Sequence, residues 1–356
     1  MHLIARVNKG GTSRWLSVLI LGLREVGVDN CLYAGFVQRG EEEDPLFNAV
    51  GGKRIQTMGR SISLFLDFKS ISAVRKAIKN ENPNVLNTHT AKAGLIGRIA
   101  AIGIDVKVVH TYHGHIIYGY FGVIKSYVFI LIERALGFLT NTIVVNGEKV
   151  KNELLEHHIS TEEKYVVIYP GIPKLDFISK ETARNKWQVD RDEVVVGWLG
   201  RVTQIKRPDR IIETARKMPE VRFLVGGIGD LFEKCKQNAP NNVVFLGWVK
   251  PEEFWPACDI AVLTSENEAS PIAFIEAAYA GLPIVAENVG SVAETFQDQV
   301  GGFLTTNTSD RVEAIKKLAS NPALRLKMGK ESGFYSREKF SVVKFLEKHL
   351  IVYDFK

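Results

Sequence analysis

Cysteine is scarce in this chain, with three residues among 356. Cys31, Cys235 and Cys258 lie far apart in the sequence and form no C-x-x-C pair, which excludes a dense disulfide framework. Each of them lies in an apolar or helical stretch, as is typical of small buried side chains. We therefore expect three free thiols and a reducing compartment.

The sequence also lacks a segment that is suited to cross a membrane. Its longest apolar stretch, residues 118–139, is interrupted by Lys125, Glu133 and Arg134, so it is too short and too charged for a bilayer span. The first residues, MHLIARVNKGG, hold no apolar run of signal-peptide length and resemble a strand that turns into a loop. We expect a cytoplasmic protein that is either soluble or in peripheral contact with a membrane surface.

No repeat, low-complexity tract or large excess of charge is present. The chain is 46% apolar and 24% charged, and at about 150 residues per domain its length predicts two domains. Its net charge of +6 lies mostly in residues 1–172, which carry twenty basic and fifteen acidic side chains. A mildly basic half suits a partner with phosphate groups, either a nucleotide or an anionic membrane surface, although solvated lysine and arginine explain it equally well.

Short apolar runs alternate with amphipathic stretches along the whole chain, and this rhythm predicts an α/β fold with doubly wound parallel sheets. In the first half the predicted strands are HLIAR, NVLNTH, VKVVHTYH and NTIVVN. The segment YVVIYPGIPKLDF then interrupts the rhythm with two prolines and a glycine, so we place a domain boundary after residue 172. The rhythm restarts at EVVVGWLG, and the last residues, VVKFLEKHLIVYDF, have helical spacing.

In such sheets, ligands bind beyond the carboxyl ends of the strands, where glycine-rich turns and helix N-termini present free N–H groups. The stretch ENEASPIAFIEAAYAGLPIVAENVGSVAE places Glu268 and Glu276 on either side of Pro271, which predicts a helix that starts near Ser270. Two carboxylates beside an anion site can accept hydrogen bonds from the hydroxyl groups of a sugar nucleotide. A solvated loop glutamate and a surface helix glutamate are the plainer alternative.

A second stretch, VVGWLGRVTQIKRPDRII, places Gly200, Arg201 and Lys206 after a predicted strand. Two cations five residues apart can clamp a diphosphate, the arginine as a fork and the lysine as a point charge. In FLVGGIGD, Gly227 and Gly229 follow another strand and permit close approach of a ligand to the backbone. No full G-x-G-x-x-G pattern is formed here or after the first strand, which argues against a nucleotide oxidoreductase.

Four of the eight histidines cluster near two predicted strand ends, namely His89, His110, His113 and His115. The spacing of His110 and His113 directs them to opposite faces of a strand, and no paired cysteine or carboxylate accompanies them, so we expect no metal site. His113 precedes Gly114 at the strand end and is positioned to form a hydrogen bond with a substrate. We expect His110 in the core.

Together these motifs resemble the retaining GT-B glycosyltransferases of family 4, over essentially the whole chain. The resemblance rests on the cation pair, the carboxylate pair, the runs AAYAGLPIVA and GSVAE, and HTAKAGLIGRIAA with HTYHGH, in the family's order. It implies a GT-B fold, in which two Rossmann-like doubly wound domains face each other across a cleft. Residues 1–172 would form the acceptor-side domain, residues 173–336 the nucleotide-sugar domain, and residues 337–356 a helix that crosses back to the first domain.

The resemblance also implies a role for each site residue. Arg201 and Lys206 would hold the donor diphosphate. Glu276 would bind the nucleotide ribose, Glu268 the transferred sugar, and His113 would lie near the reacting carbon. The implied catalytic residues are His113, Glu268, Arg201 and Lys206. The implied donor-binding residues are Gly11, Gly200, Arg201, Lys206, Gly227, Gly229, Glu268, Ser270, Pro271, Ile272, Ala273 and Glu276. The implied acceptor-side residues are His89, Lys92 and His115.

The activity that the resemblance implies is the transfer of a hexosyl or N-acetylhexosaminyl group from a nucleotide sugar, a UDP-sugar on the grounds of family frequency. The acceptor would be a glycan or a saccharide linked to polyprenyl diphosphate, in the synthesis of bacterial surface polysaccharide such as lipopolysaccharide. No metal or other cofactor is required, and we expect no nucleic-acid partner. The aromatic stretch 118–139 either seats a lipid-linked acceptor at a membrane interface or packs in the core of the first domain.

Two other functions fit a similar fold. An isomerase that resembles UDP-N-acetylglucosamine 2-epimerase needs no sugar acceptor, and it would not be expected to carry both the cation pair and the carboxylate pair. A catalytically silent sugar-nucleotide binder is the other alternative. It is disfavoured because every charged position of the implied donor site is occupied in this sequence.

Overall fold

Most of the chain is described by the computed structural model, and the described residues are 1–38, 41–59, 63–114 and 122–355. They divide into two units. The first comprises Met1–Gly171 and Val342–Lys356, and the second comprises Ile172–Ser341. The chain therefore returns to the first unit after residue 341 rather than after residue 336, because the helix Pro322–Lys339 runs through the predicted junction.

The first unit is built on a parallel sheet of seven strands in the order β3-β2-β1-β4-β5-β6-β7. The strands are β1 (His2–Ile4), β2 (Leu32–Ala34), β3 (Lys53–Arg54), β4 (Val85–His89), β5 (Lys107–Tyr112), β6 (Thr142–Val145) and β7 (Tyr165–Val167). The helices are α1 (Gly11–Glu25), α2 (Leu46–Ala49), α3 (Leu64–Glu81), α4 (Ala91–Ala100), α5 (Val123–Phe138) and α6 (Glu148–Glu156). The strand order reverses between β1 and β4, so ligands of this sheet are expected at the carboxyl ends of these two strands.

The second unit is built on a parallel sheet of six strands in the order β10-β9-β8-β11-β12-β13. The strands are β8 (Val195–Leu199), β9 (Arg222–Gly226), β10 (Val243–Gly247), β11 (Ile260–Leu263), β12 (Ile284–Glu287) and β13 (Gly302–Thr305). The helices are α7 (Lys180–Lys186), α8 (Pro208–Arg216), α9 (Phe232–Gln237), α10 (Pro251–Phe254), α11 (Ile272–Tyr279), α12 (Thr308–Ala319) and α13 (Pro322–Lys339). Here the order reverses between β8 and β11, which places the second expected ligand edge at their carboxyl ends.

The prediction of two doubly wound α/β units is confirmed, and its physical basis is visible in the central strands. These strands are covered by helices on both faces, so they read as continuous apolar runs such as VVGWL in β8 and IAVL in β11.

Strand β4 departs from this rule, because its last three residues, Asn87, Thr88 and His89, are polar and yet buried. Asn87 Nδ2 donates a hydrogen bond to the hydroxyl of Tyr353 at 2.6 Å, and Thr88 Oγ1 lies 2.8 Å from His110 Nδ1. Such pairing offsets the cost of removing these groups from water. The predicted core position of His110 is confirmed, since this side chain is buried.

The last helix, α14 (Val342–Val352), lies in the first unit and packs against α1. The rings of Phe345 and His349 meet the Trp15 ring edge-on, with centroid distances of 5.1 and 5.2 Å. Aromatic pairs in this geometry add to the stability gained from apolar burial. Within the described residues, no helix combines the length and the apolar character needed to cross a membrane.

Candidate functional site

In the second unit, two loops at the carboxyl ends of β8 and β11 carry predicted site residues. Arg201 follows β8 and is exposed, and Lys206 ends a short turn over residues 204–206. Glu268 lies in the loop that leads from β11 to α11. Because β8 and β11 are hydrogen-bonded neighbours in a parallel sheet, both loops leave the sheet at the same edge. This edge brings Lys206 and Glu268 together, 62 residues apart in sequence.

Lys206 and Glu268 form an ion pair between Lys206 Nζ and Glu268 Oε1, and the hydroxyl of Ser265 donates to the same carboxylate oxygen at 2.6 Å. The Lys206 side chain is 24% exposed and the Glu268 side chain 9%. The pair is therefore partly desolvated but still reachable from solvent. A phosphate oxygen is a natural competitor for Lys206, and displacement would leave Glu268 able to accept hydrogen bonds from hydroxyl groups.

The loop that carries Lys206 is held by a residue that the sequence analysis did not single out. The hydroxyl of Thr264 lies 3.0 Å from the carbonyl oxygens of both Lys206 and Arg207, and it accepts a hydrogen bond from Trp198 Nε1 at 2.9 Å. Thr264 directly follows β11 and is fully buried. A threonine at the end of an apolar strand was the available sequence signal, but nothing in the sequence indicated which loop it would bind.

The backbone of Glu268 is positioned by the glycine of the GSVAE run. Gly290 has φ +50°, and a Cβ atom at this position would lie 1.7 Å from the carbonyl oxygen of Glu268. The next residue, Ser291, donates its backbone N–H to the same oxygen at 3.0 Å. Only glycine therefore satisfies both the left-handed backbone and the close approach at this point.

Glycines allow the loop that follows β9 to pack closely against the loop that follows β8. A Cβ atom on Gly227, whose φ is +122°, would lie 1.9 Å from the carbonyl oxygen of Gly200. A Cβ atom on Gly229 would lie 2.3 Å from the carbonyl oxygen of Val202. At Gly200 itself a Cβ would meet only ordinary contacts, the nearest at 3.5 Å. Gly227 and Gly229 are therefore required by backbone packing, whatever they contribute to a ligand.

Helix α11 begins at Ile272, two residues later than predicted, with Pro271 in an extended conformation as its N-cap and Ser270 in the preceding loop. The first backbone N–H groups of a helix lack partners within it and can face an anion, and Ile272 and Ala273 hold these positions. The next two N–H groups, of Phe274 and Ile275, donate to the Pro271 carbonyl oxygen at 2.9 and 3.3 Å. Glu276 lies in the second turn and is only 2% exposed, so it is not the solvated surface residue of the plainer alternative.

In the first unit, three histidine rings form a continuous hydrogen-bonded chain. His2 Nδ1 lies 3.2 Å from His89 Nε2, and His89 Nδ1 lies 3.0 Å from His113 Nε2. Trp15 from α1 packs edge-on against the rings of His89 and His113, with centroid distances of 5.7 and 4.6 Å. Both nitrogens of His89 are thus engaged inside the protein, and His89 is buried, so it presents no ring nitrogen to an acceptor. His113 is half-buried.

Two further predicted residues of this unit, Gly11 and Lys92, lie where helices begin after β1 and β4. Gly11 is the first residue of α1, which follows β1. Lys92 lies in the first turn of α4, and its ammonium group is 2.7 Å from a carboxylate oxygen of Asp67 in α3. His115 lies outside the described residues.

Comparison with known protein families accounts for nearly the whole chain. A family described as Glycosyltransferase Family 4 matches residues 9–174, and a family described as Glycosyl transferases group 1 matches residues 179–333. The chain belongs to the family 4 glycosyltransferases. The resemblance stated from the motifs is confirmed, and the two matches correspond to the two units of the structure.

Relatives of this glycosyltransferase include curated bacterial proteins. It is 26% identical over 331 residues to an Escherichia coli protein named UDP-Gal:alpha-D-GlcNAc-diphosphoundecaprenol alpha-1,3-galactosyltransferase, covering 87% of this chain and 85% of the relative. It is 25% identical over 307 residues to the capsular polysaccharide biosynthesis glycosyltransferase CapM of Staphylococcus aureus, covering 80% of each chain.

Solved structures share its fold. Anabaena Alr3699/HepE in complex with UDP and glucose superposes with a TM-score of 0.83 at 18% identity, covering 99% of this chain and 98% of that one. The apo form of the lipopolysaccharide outer core galactosyltransferase WaaB has a TM-score of 0.74 at 17% identity, covering 99% of each chain. The GT-B fold class is therefore confirmed for this glycosyltransferase.

Five histidines of the first unit, namely His2, His89, His110, His113 and His349, are held neutral by their surroundings. Burial lowers the pKa of His2, His89 and His110 well below the ordinary value. It lowers the pKa of His113 to about 3 and that of His349 to about 4. No group of three or more histidine, cysteine, aspartate or glutamate side chains within the described residues is arranged to hold a metal ion.

Acid is expected to destabilise the first unit through these histidines. An unfolded histidine titrates near pH 6.5, whereas His349 in the folded protein binds a proton only near pH 4, so the unfolded state binds more protons between these values. The stabilisation is present above the unfolded pKa and is lost as the pH falls, by about 1.4 kcal/mol per pH unit for each such histidine.

Urea unfolding followed between about pH 7 and pH 5 measures this slope. In the His349→Phe variant the unfolding free energy should fall less steeply as the pH is lowered, because one of the histidines that take up a proton on unfolding is absent. A free energy of unfolding that does not change over this range would contradict the assignment of neutral buried rings.

Proposed function

We propose that this glycosyltransferase transfers a hexosyl or N-acetylhexosaminyl group, with retention of configuration, from a UDP-sugar to a saccharide on a polyprenyl diphosphate carrier. The proposed setting is the synthesis of bacterial surface polysaccharide. The observation that carries the proposal is the ion pair of Lys206 and Glu268 at the edge where β8 and β11 end. The printed names of the E. coli and S. aureus relatives, and UDP in the Anabaena structure, support the choice of donor and acceptor.

In this proposal the donor diphosphate separates Lys206 from Glu268. The phosphate oxygens accept hydrogen bonds from the ammonium group of Lys206 and the guanidinium group of Arg201. The N–H groups of the first turn of α11 add further positive potential at the diphosphate. The released carboxylate of Glu268 accepts hydrogen bonds from hydroxyl groups of the sugar, and Glu276 binds the ribose. Negative charge grows on the leaving diphosphate as its bond to the sugar breaks, and these groups stabilise it.

We propose that no metal or other cofactor takes part, because two side-chain cations and a helix N-terminus already supply positive charge at the diphosphate. Family membership argues against the isomerase alternative. The silent binder differs from the proposed enzyme only in turnover, so release of the free nucleoside diphosphate in the presence of an acceptor separates the two.

Thermal unfolding in the presence of UDP, GDP, ADP and their sugar conjugates tests the donor site. A ligand that binds only the folded protein raises the midpoint by mass action, so we expect a shift with UDP and UDP-sugars. The shift should be lost in Arg201→Ala and Lys206→Ala and kept in Lys316→Ala, which removes an exposed lysine of α12. A shift with another nucleotide alone would replace UDP, and no shift with any of them would contradict the donor site.

Two helices of the first unit expose apolar side chains that suit contact with lipid. The exposed apolar residues are Leu64, Phe65, Leu66 and Phe68 on α3 and Ile124, Tyr127, Val128, Leu131 and Ile132 on α5, which together we call the apolar face. Helix α4 packs against both α3 and α5. Two exposed lysines, Lys69 on α3 and Lys125 on α5, lie among these apolar residues. The opposite side of α5 buries Ile130, Glu133 and Leu136. In its described part, the aromatic stretch is therefore half core and half surface.

We propose that the apolar face rests on the inner face of the cytoplasmic membrane, where a polyprenyl-linked acceptor would be presented. Apolar side chains beside lysine are the pattern that binds anionic lipid surfaces. We expect the protein to sediment with anionic vesicles at low salt and less so with neutral ones.

The double variant Phe65→Ser with Phe68→Ser should lose most of this binding, because these side chains are 69% and 74% exposed. The matched control is Phe334→Ser, which removes a phenylalanine that is 67% exposed on α13 of the second unit. Equal binding by the double variant and the wild type would contradict the proposed membrane contact.

A further inference from the structure

His113 is the accessible end of the imidazole chain that continues through His89 to His2. The chain crosses from β5 through β4 to β1, and its two inner members are buried. The distances of 3.2 and 3.0 Å between ring nitrogens are those of hydrogen bonds rather than of simple packing. Nothing in the proposed donor chemistry uses His2, which raises the question of what this buried histidine does.

In a chain of neutral imidazole rings, all the N–H groups that form the hydrogen bonds point in the same direction along the chain. We call this direction the proton order. Each neutral ring carries one N–H and one lone pair. When His89 donates through Nδ1 to His113, its Nε2 must accept, and the donor is then His2 Nδ1. When the order is reversed at one ring it must be reversed at all three, so the proton position on His2 determines the proton position on His113.

The two orders differ in what His113 offers to a ligand. With the proton of His2 on Nδ1, His113 accepts through Nε2 and carries its own proton on Nδ1, so its outer nitrogen is a hydrogen-bond donor. In the reverse order His113 donates through Nε2 to His89, and its outer nitrogen carries a lone pair. Only the first order lets His113 donate to an oxygen atom of a ligand.

We propose that His2 and His89 are positioning residues that hold His113 in the tautomer with its proton on Nδ1. Both bonds of the chain then run outward, and His113 offers an N–H donor from its half-buried ring. Trp15, edge-on at 4.6 Å, fixes the plane of that ring. The inference rests on the proposed function in one respect, namely that the group which His113 serves is an oxygen of the transferred sugar.

Nitrogen NMR of the wild-type protein with ¹⁵N-labelled histidine tests the tautomers without any assay of transfer. We expect His2, His89 and His113 all to be neutral and protonated on Nδ1 near pH 7. A proton on His113 Nε2 would overturn the proposal, and so would a different order at His89. Because this measurement needs no donor, it stands even where the proposed function fails.

The variant His2→Phe keeps an aromatic ring against His89 but removes the nitrogen that starts the chain. We expect His113 to populate both tautomers in this variant. We expect kcat to fall by about 10- to 100-fold, as when a partner that orients a functional histidine is removed, with little change in the KM of the donor.

The control is His349→Phe, which replaces a second buried histidine beside Trp15 that is not in the chain. It should keep the wild-type nitrogen signals of His113. Wild-type signals of His113 in His2→Phe, or the same loss of kcat in both variants, would assign His2 to packing and overturn the proposal.

Discussion

Lys206→Ala is expected to lower kcat/KM for sugar transfer by about 10²- to 10³-fold, the loss that follows removal of one group stabilising a developing anion. The charge on the leaving diphosphate is larger in the transition state than in the bound donor. An ammonium group at this position therefore lowers the barrier more than it strengthens binding, and kcat should fall more than the KM of the donor rises.

The structure indicates that this loss reflects chemistry rather than unfolding. The loop is held through the backbone of Lys206 by Thr264, a contact that the substitution leaves in place. The substitution leaves the largely buried Glu268 carboxylate with the Ser265 hydroxyl as a hydrogen-bond donor, so it should cost about 1–3 kcal/mol of stability.

Steady-state release of the nucleoside diphosphate measures the effect of Lys206→Ala, and urea unfolding of the same preparation measures its stability. Lys316→Ala, which removes an exposed lysine of the same unit, should leave both unchanged. Turnover near the wild-type level in Lys206→Ala would remove Lys206 from the mechanism.

Gly290→Ala is expected to lower transfer by about 10²-fold or more, because displacing a positioned group by about 1 Å is enough for such a loss. The new Cβ atom would stand 1.7 Å from the carbonyl oxygen of Glu268, so the backbone of Glu268 must move. That movement carries the carboxylate away from Lys206 and Ser265.

Gly281→Ala is the matched control for the backbone cost. Gly281 also has a positive φ, +79°, but a Cβ atom there would meet nothing within 4 Å. Both variants should lose about 1–2 kcal/mol of unfolding free energy from the left-handed conformation, and only Gly290→Ala should lose more. Equal losses of stability and activity in the two variants would contradict the role assigned to the close approach.

Local sequence pattern was sufficient for the strands that carry the site, whereas β2, β3 and β7, which have only two or three residues each, were not predicted. The alternation of apolar runs and helical stretches depends on spacing along the chain, which the sequence displays directly. The start of α11 was predicted only to within two residues, since Pro271 fits both an N-cap and a first helical position and the backbone angles decide between them.

Glu133 illustrates a feature that the sequence could not interpret. In the sequence it interrupts an apolar stretch, and a charged residue at such a position is expected on the surface. In the structure it is buried, 2.8 Å from the guanidinium group of Arg98 in α4, and it accepts a hydrogen bond from the hydroxyl of Tyr112. The charge is tolerated because a paired and hydrogen-bonded ion costs far less to bury than an isolated one.

The sequence by itself determined the family, the two α/β units and the residue types at the strand ends, because these follow from spacing and from motifs that are local in the chain. Only the tertiary structure decided which of those residues meet. It paired Lys206 with Glu268, placed Thr264 beneath their loop, and linked His2 through His89 to His113. Such contacts join residues from different strands, and their partners depend on strand order, which no local pattern in the sequence encodes.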